Sequence, residues 1–145
     1  MSLAVALALA AASDLEGPGR FCGYAPIIDL IAGERVVTLG GGIHSGTFRW
    51  EGAFGQLDVI GIGWASPPDS AGKAKRTSKG HLLFPPRRER GRYRVALWNG
   101  RNGVAYFSTP HRLTRQQLAA IDRVDLFEEG EEPVGCKLRT IFSWE

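Results

Sequence analysis

The sequence predicts a mainly β protein, a small single-domain β-sandwich or partly open barrel with one short helix near residues 115–122. Three observations predict it. Short apolar runs rich in Val, Ile, Phe, Tyr and Trp, bounded by Gly, Pro or Asp, recur along the chain. Nineteen Gly and eight Pro in 145 residues supply many turns, while a hydrophobic content of 43% is enough for a core and excludes disorder of the whole. Only one stretch carries the start signals of a helix.

In chain order, "MSLAVALALAAAS" comes first. Leu3 to Ala12 are all Leu, Ala or Val, the length of a secretory signal core and well short of the roughly 20 residues a membrane-spanning helix needs. Ala10-Ala11-Ala12 provide the small side chains for cleavage before Ser13. Met1-Ser2 brings no Lys or Arg, so a short Ala/Leu helix packed on the fold is the alternative. Residues 1–12 are read as a signal peptide, 13–20 as a flexible mature N-terminus, and 21–145 as one β-rich domain.

The expected strands are Ile27 to Ile31, Arg35 to Leu39, Thr47 to Trp50, Leu57 to Trp64, Tyr93 to Trp98, Val104 to Phe107 and Leu138 to Trp144. Tyr93, Val95 and Leu97 alternate with Arg92, Arg94 and Ala96, which predicts a core face and a largely basic outer face. Thr114-Arg115-Gln116-Gln117 has the T-x-x-Q spacing of a capping box, and Leu113 and Leu118 stand where a hydrophobic staple would. The helix is therefore expected from Arg115 to Asp122, followed by a strand from Arg123 to Phe127 and an acidic turn. Residues 46–62 and 91–107 align without a gap at an offset of 45, matching Gly46/Gly91, Arg49/Arg94, Gly55/Gly100 and Val59/Val104. Both read as β-hairpins, by duplication or by convergence.

Cys22 and Cys136 are the two cysteines, and neither belongs to a C-x-x-C or a Cys/His cluster. A disulfide between them would close a loop that the chain-entropy model values at roughly 4 to 5 kcal/mol. Two separate buried thiols would suit a cytosolic protein instead. With the opening stretch, the bridge points to a periplasmic or secreted location.

The charge is unevenly spread. Eighteen Lys and Arg against fifteen Asp and Glu give +3, yet Lys73 to Arg94 hold nine cations and only Glu89, while Asp122 to Glu132 hold six carboxylates and only Arg123. The basic segment has three readings: a solvated loop with an Arg-flanked strand, an intramolecular partner for the acidic turn, or a binding surface. As a surface, Lys73, Lys75, Arg76, Lys79, Arg87, Arg88, Arg90, Arg92 and Arg94 would meet an anionic surface, a polysaccharide or an acidic protein. Nucleic acid is disfavoured, because no recognisable nucleic-acid module accompanies these residues.

"LGGGIHSGTF" at 39–48 has the glycine spacing of a phosphate-binding loop, but Thr47 stands where the Lys belongs. It also lacks a nucleophile elbow, since His44 occupies the central place and Ser45 follows it. A Gly-rich turn explains the stretch. No local motif binds a metal or a cofactor, so neither is expected. Asp29 and Asp58 interrupt apolar strands and, if buried, need donors such as Arg35 or Arg49. Trp50, Trp64, Trp98 and Trp144, with Tyr24, Tyr93 and Tyr106, serve the core or, if exposed together, a platform for a sugar or peptide.

The preferred reading is an exported, disulfide-stapled β domain that acts by binding through its basic loop, in one version as an inhibitor inserting that loop into a partner's cleft. The rival is a secreted hydrolase with His44, Ser45 or Asp58 gathered at the Gly-rich turn of residues 40–46. A third is an envelope-associated assembly protein.

Overall fold

Two β-sheets face each other across a shared layer of apolar side chains. The computed structural model describes residues 13–69, 72–128 and 130–140; the opening Leu/Ala stretch, Trp144 and the end of the last expected strand lie outside the described residues. The fold is mainly β with one short helix, as the sequence predicts.

β1 (Asp14–Glu16) opens the larger sheet, inside the segment expected as a tail, and the chain crosses at Gly17-Pro18 to β2 (Gly19–Cys22) and β3 (Pro26–Leu30) of the smaller sheet. β4 (Arg35–Gly41), β5 (Ser45–Gly52) and β6 (Gly55–Ile62) return to the larger sheet as antiparallel neighbours. β7 (Lys75–Arg76), β8 (Leu82–Leu83), β9 (Arg87–Glu89), β10 (Arg92–Trp98) and β11 (Val104–Thr109) complete it in the order β1-β4-β5-β6-β11-β10-β8-β7, with β9 also on β10. After α1 (Arg115–Asp122), β12 (Asp125–Leu126) and β13 (Cys136–Arg139) close the smaller sheet, β12-β3-β2-β13, in which β13 runs parallel to β2.

Burial follows the two-residue period of a strand. Phe48 and Trp50, Leu57 and Val59, Val95 and Leu97, and Ala105 and Phe107 cluster with Phe21, Ile28 and Leu30 of the smaller sheet. The rings of Phe21 and Phe48 meet across the two layers with centroids 4.6 Å apart. Each large side chain so buried contributes roughly 1.5–3 kcal/mol of transfer free energy. Gly61 allows the close approach of the layers, because a Cβ there would fall 2.2 Å from the Tyr24 carbonyl oxygen.

The helix begins where its capping box predicts. Thr114 Oγ1 accepts from the Gln117 amide at 3.1 Å, and Gln117 Oε1 accepts from the Thr114 amide at 2.9 Å. Ala120 and Ile121 then turn into the core. Just past the helix, Arg123 donates from both terminal nitrogens to the Glu34 carboxylate, each at 2.8 Å, and to the Asp29 carbonyl at 3.0 Å. Glu34 is only 4% exposed and also accepts from the Ile31 amide. The pair clamps the helix to the β3–β4 turn.

Cys22 and Cys136 are bonded, with Cα atoms 5.7 Å apart, and tie the C-terminal strand to β2. The interrupting carboxylates find donors in their own way. Register places Arg20 opposite Asp29, and Arg20 donates to both of its oxygens at 2.7 and 2.9 Å, which holds that carboxyl below its ordinary range. Arg35 instead pairs with Asp14 at 2.8 Å.

The two similar hairpins do form, as β5–β6 and β10–β11, and Gly55 and Gly100 both take a positive φ. Their pairing differs. Phe48 lies opposite Val59, whereas Tyr93 lies opposite Thr109 and not Val104. The longer second turn shifts the register by an odd number of residues, so the second strands present opposite faces to the core. The gapless alignment is therefore not a structural equivalence.

Candidate functional site

The basic segment forms the outer margin of the larger sheet. β8 and β9 lie end to end along β10, separated by Pro85-Pro86, with the Phe84 amide donating to the Ala96 carbonyl between them. Prolines at this place leave few donors on the sheet edge, and the charges around them discourage pairing with another chain. A two-residue turn, Arg90-Gly91, joins β9 to β10 with φ of 52° and 77°. Positive φ at both positions is the hairpin geometry that Asn-Gly favours, and a long side chain at the first is strained there. Arg90→Asn should raise stability by about 0.5–1 kcal/mol in a thermal melt. A fall would show that the Arg90 side chain makes a contact worth more than the strain.

The register of this hairpin sorts its arginines into two faces. Arg94 lies opposite Arg87, and Arg92 opposite Glu89, on the outer face of the sheet. There Arg92 and Arg94 meet carboxylates and Arg87 meets a backbone carbonyl. Asp58 accepts from Arg92 at 2.6 Å and stands 3.6 Å from Arg49. Arg94 pairs with Glu89 at 3.0 Å and stacks 3.7 Å over the Tyr106 ring, while Arg87 donates to the Asp69 carbonyl at 2.7 Å. Arg92 and Arg94 are thus largely neutralised in place.

The other face differs. Arg88 lies opposite Tyr93, and Lys75 opposite Leu83, which in turn pairs with Leu97. Among the described residues, Lys73, Lys75, Arg88 and Arg90 have no carboxylate partner, and all are exposed. Among the described residues the acidic segment does not answer them: Glu128 pairs with Arg101 and Glu132 with Arg139, while His81 meets Asp125 at 2.6 Å.

The stretch expected as a solvated loop is anchored over part of its length. Thr77 is buried, its amide donating to the His81 carbonyl, and Ser78 makes two hydrogen bonds to Asp122 at the end of α1. Arg76 closes the turn by donating to the Gly80 carbonyl at 2.7 Å, and Lys79 sits near enough to Asp29 to favour its charge. Of the nine nominated cations, Lys73, Lys75, Arg88 and Arg90 have neither a side-chain hydrogen bond nor a nearby carboxylate among the described residues, while Arg76 and Arg87 are held by carbonyls and keep their charge.

His44, Ser45 and Asp58 are not brought together. Ser45 pairs with Ile62 and Arg49 with Asp58. That puts Asp58 four residues along the sheet from Ser45, about 13 Å away. The His44 ring packs edge-on against Trp64 at 6.3 Å. The Gly-rich turn instead lines a hollow of about 430 Å³ with Tyr24, Thr38, Ser45, Thr47 and Thr140. That lining mixes hydroxyl groups with Leu39 and Phe48 and, among the described residues, carries no charged side chain.

Trp50 and Tyr24 are core, whereas Trp64 is 64% exposed. No group of three or more metal-capable His, Cys, Asp or Glu exists among the described residues. Sequence reasoning missed Arg112, an exposed residue just before the helix cap that shares a hollow with Arg88 and Tyr93. Its only sequence signal is a basic residue with no acidic neighbour in "PHRLTR". Comparison with family models, with curated proteins and with solved structures finds no match to this chain.

Proposed function

We propose that this chain is an exported binding module that holds an anionic partner through the margin of its larger sheet. The observation that carries this reading is the division of the cations: on the outer face Arg92 and Arg94 each meet a carboxylate, whereas among the described residues Lys73, Lys75, Arg88 and Arg90, along the sheet margin, have neither a carboxylate partner nor a side-chain hydrogen bond. Cations held apart from counter-charges keep their field for an incoming ligand. The disulfide supports an oxidising compartment, in keeping with the Leu/Ala stretch that opens the chain. The separation of Asp58 from His44 and Ser45 leaves the hydrolase reading without a base and an acid in reach of one another.

The test is a variant in which Lys73, Lys75, Arg88 and Arg90 are all replaced by Gln. A basic cluster gains about 1 kcal/mol per cation at an anionic surface, so the four changes should weaken binding to vesicles of anionic phospholipid or to a sulfated polysaccharide by on the order of 10³-fold. Affinity equal to the parent's, with a new tendency to aggregate, would mean that these charges only guard the sheet edge.

A further inference from the structure

We infer that the hollow between β9–β10 and the segment leading into α1 is a site for an organic phosphate or sulfate ester. It measures about 560 Å³ and is lined by Pro86, Arg88, Tyr93, Arg112 and Leu113. Two arginines and a tyrosine line it, and among the described residues no Asp or Glu does. Neither Arg88 nor Arg112 has a carboxylate partner among the described residues, in contrast to Arg92 and Arg94 on the other face of the same hairpin. Two like charges facing one hollow repel each other until an anion enters between them.

The residue types define the ligand. A guanidinium presents a planar fork of N–H donors that matches the oxygens of phosphate or sulfate, so two such forks can share one tetrahedral anion. The Tyr93 phenol adds a donor whose ring lies next to Arg88 by register. Pro86 and Leu113 add an apolar wall, and Leu113 packs against the core, so its place is fixed. That wall has nothing to offer a free inorganic ion, but it suits the carbon skeleton of an ester. Arg88 is set by β9 pairing and Arg112 by the helix cap two residues on, so both donors hang from ordered backbone.

This inference rests on the anionic-partner reading and narrows it to one hollow. The test titrates the full chain with phenyl phosphate and, separately, with inorganic phosphate at physiological ionic strength, following backbone amide shifts. Phenyl phosphate should perturb residues 86–93 and 112–113 and bind at least tenfold more tightly than inorganic phosphate. R88Q and R112Q should each weaken it about tenfold or more, and R94Q, whose charge is spent on Glu89, should leave it unchanged. Both Gln variants alter exposed side chains, and a parent-like melting curve shows that they fold.

Equal affinity for the two probes would remove the role of the apolar wall and reduce the site to a simple anion hole, overturning the ester assignment. Binding unaffected by R112Q overturns the site itself. If the parent binds anionic vesicles or polysaccharide while phenyl phosphate causes no shift, this hollow is wrong and the wider reading stands. If neither the surfaces nor the small ester bind, both fail.

Discussion

A chain in which Cys22 and Cys136 are both replaced by Ala will unfold roughly 10–20 °C below the parent. The bridge spans a sequence separation of 114, and a loop of that length costs the unfolded chain roughly 4–5 kcal/mol of entropy in the loop-closure model. The native structure gives a local reason to expect most of that value. β13 is only four residues long, it pairs with β2 in parallel, and its Lys137 and Arg139 point to solvent. Such a strand has little apolar burial with which to stay docked once the bond is gone. Hydrogen exchange should then show the amides of Cys136–Arg139 losing protection before those of β5 or β6. Reduction of the parent should reproduce the same shift. Unchanged protection in β13 would mean that backbone pairing and the Arg139–Glu132 ion pair hold the strand without help.

The second large effect concerns Arg123. Arg123→Met should cost about 2–3 kcal/mol at neutral pH, read from denaturant unfolding. Breaking a buried pair leaves an uncompensated charge, here the carboxylate of Glu34, which is 4% exposed; the estimate is lowered because the Arg123 side chain is itself 36% exposed. The pH dependence carries a sign that a merely steric loss would lack. Burial pushes the Glu34 carboxyl upward, but the Arg123 fork and the Ile31 amide outweigh it, so the carboxyl titrates below its ordinary value of 4.5. A folded-state value below the unfolded one means that the stabilisation is complete above about pH 4.5 and is lost as the pH falls through the folded value. In the Met variant burial dominates, the carboxyl rises, and acid relieves the buried charge. The stability gap between parent and variant should therefore narrow from pH 7 toward pH 4. A constant gap would show that Glu34 contributes no charge effect and that the loss is packing alone.

What was legible in the sequence shares one property, that its signal is local. The helix limits came from Thr114 and Gln117, whose side chains satisfy backbone groups three residues away. The long strands came from alternation sustained over enough residues to show a period. β7, β8, β9 and β12, of two or three residues each, are too short to carry one. Their identity as strands comes from what they lie beside. The partner of Asp29 was hidden for the same reason, since only the β2–β3 register places Arg20 opposite it. The near-repeat misled because identical spacing along the chain does not survive a longer turn. The basic residues were visible as a group, but only the β9–β10 register sets Arg88 on the opposite face from Arg92 and Arg94, which meet carboxylates. Arg88 and Arg112 share a hollow through tertiary packing alone, and no pattern in a linear chain records that.

The bridge between β2 and β13 also has a mechanical meaning. Any pull applied through the segments before Cys22 and after Cys136 passes directly from one sulfur to the other. The larger part of the large sheet, the helix and the basic margin all belong to the enclosed loop and stay slack. Under tension the enclosed loop lies outside the path of force, and the surface proposed to bind is protected by a covalent bond rather than by the sheets.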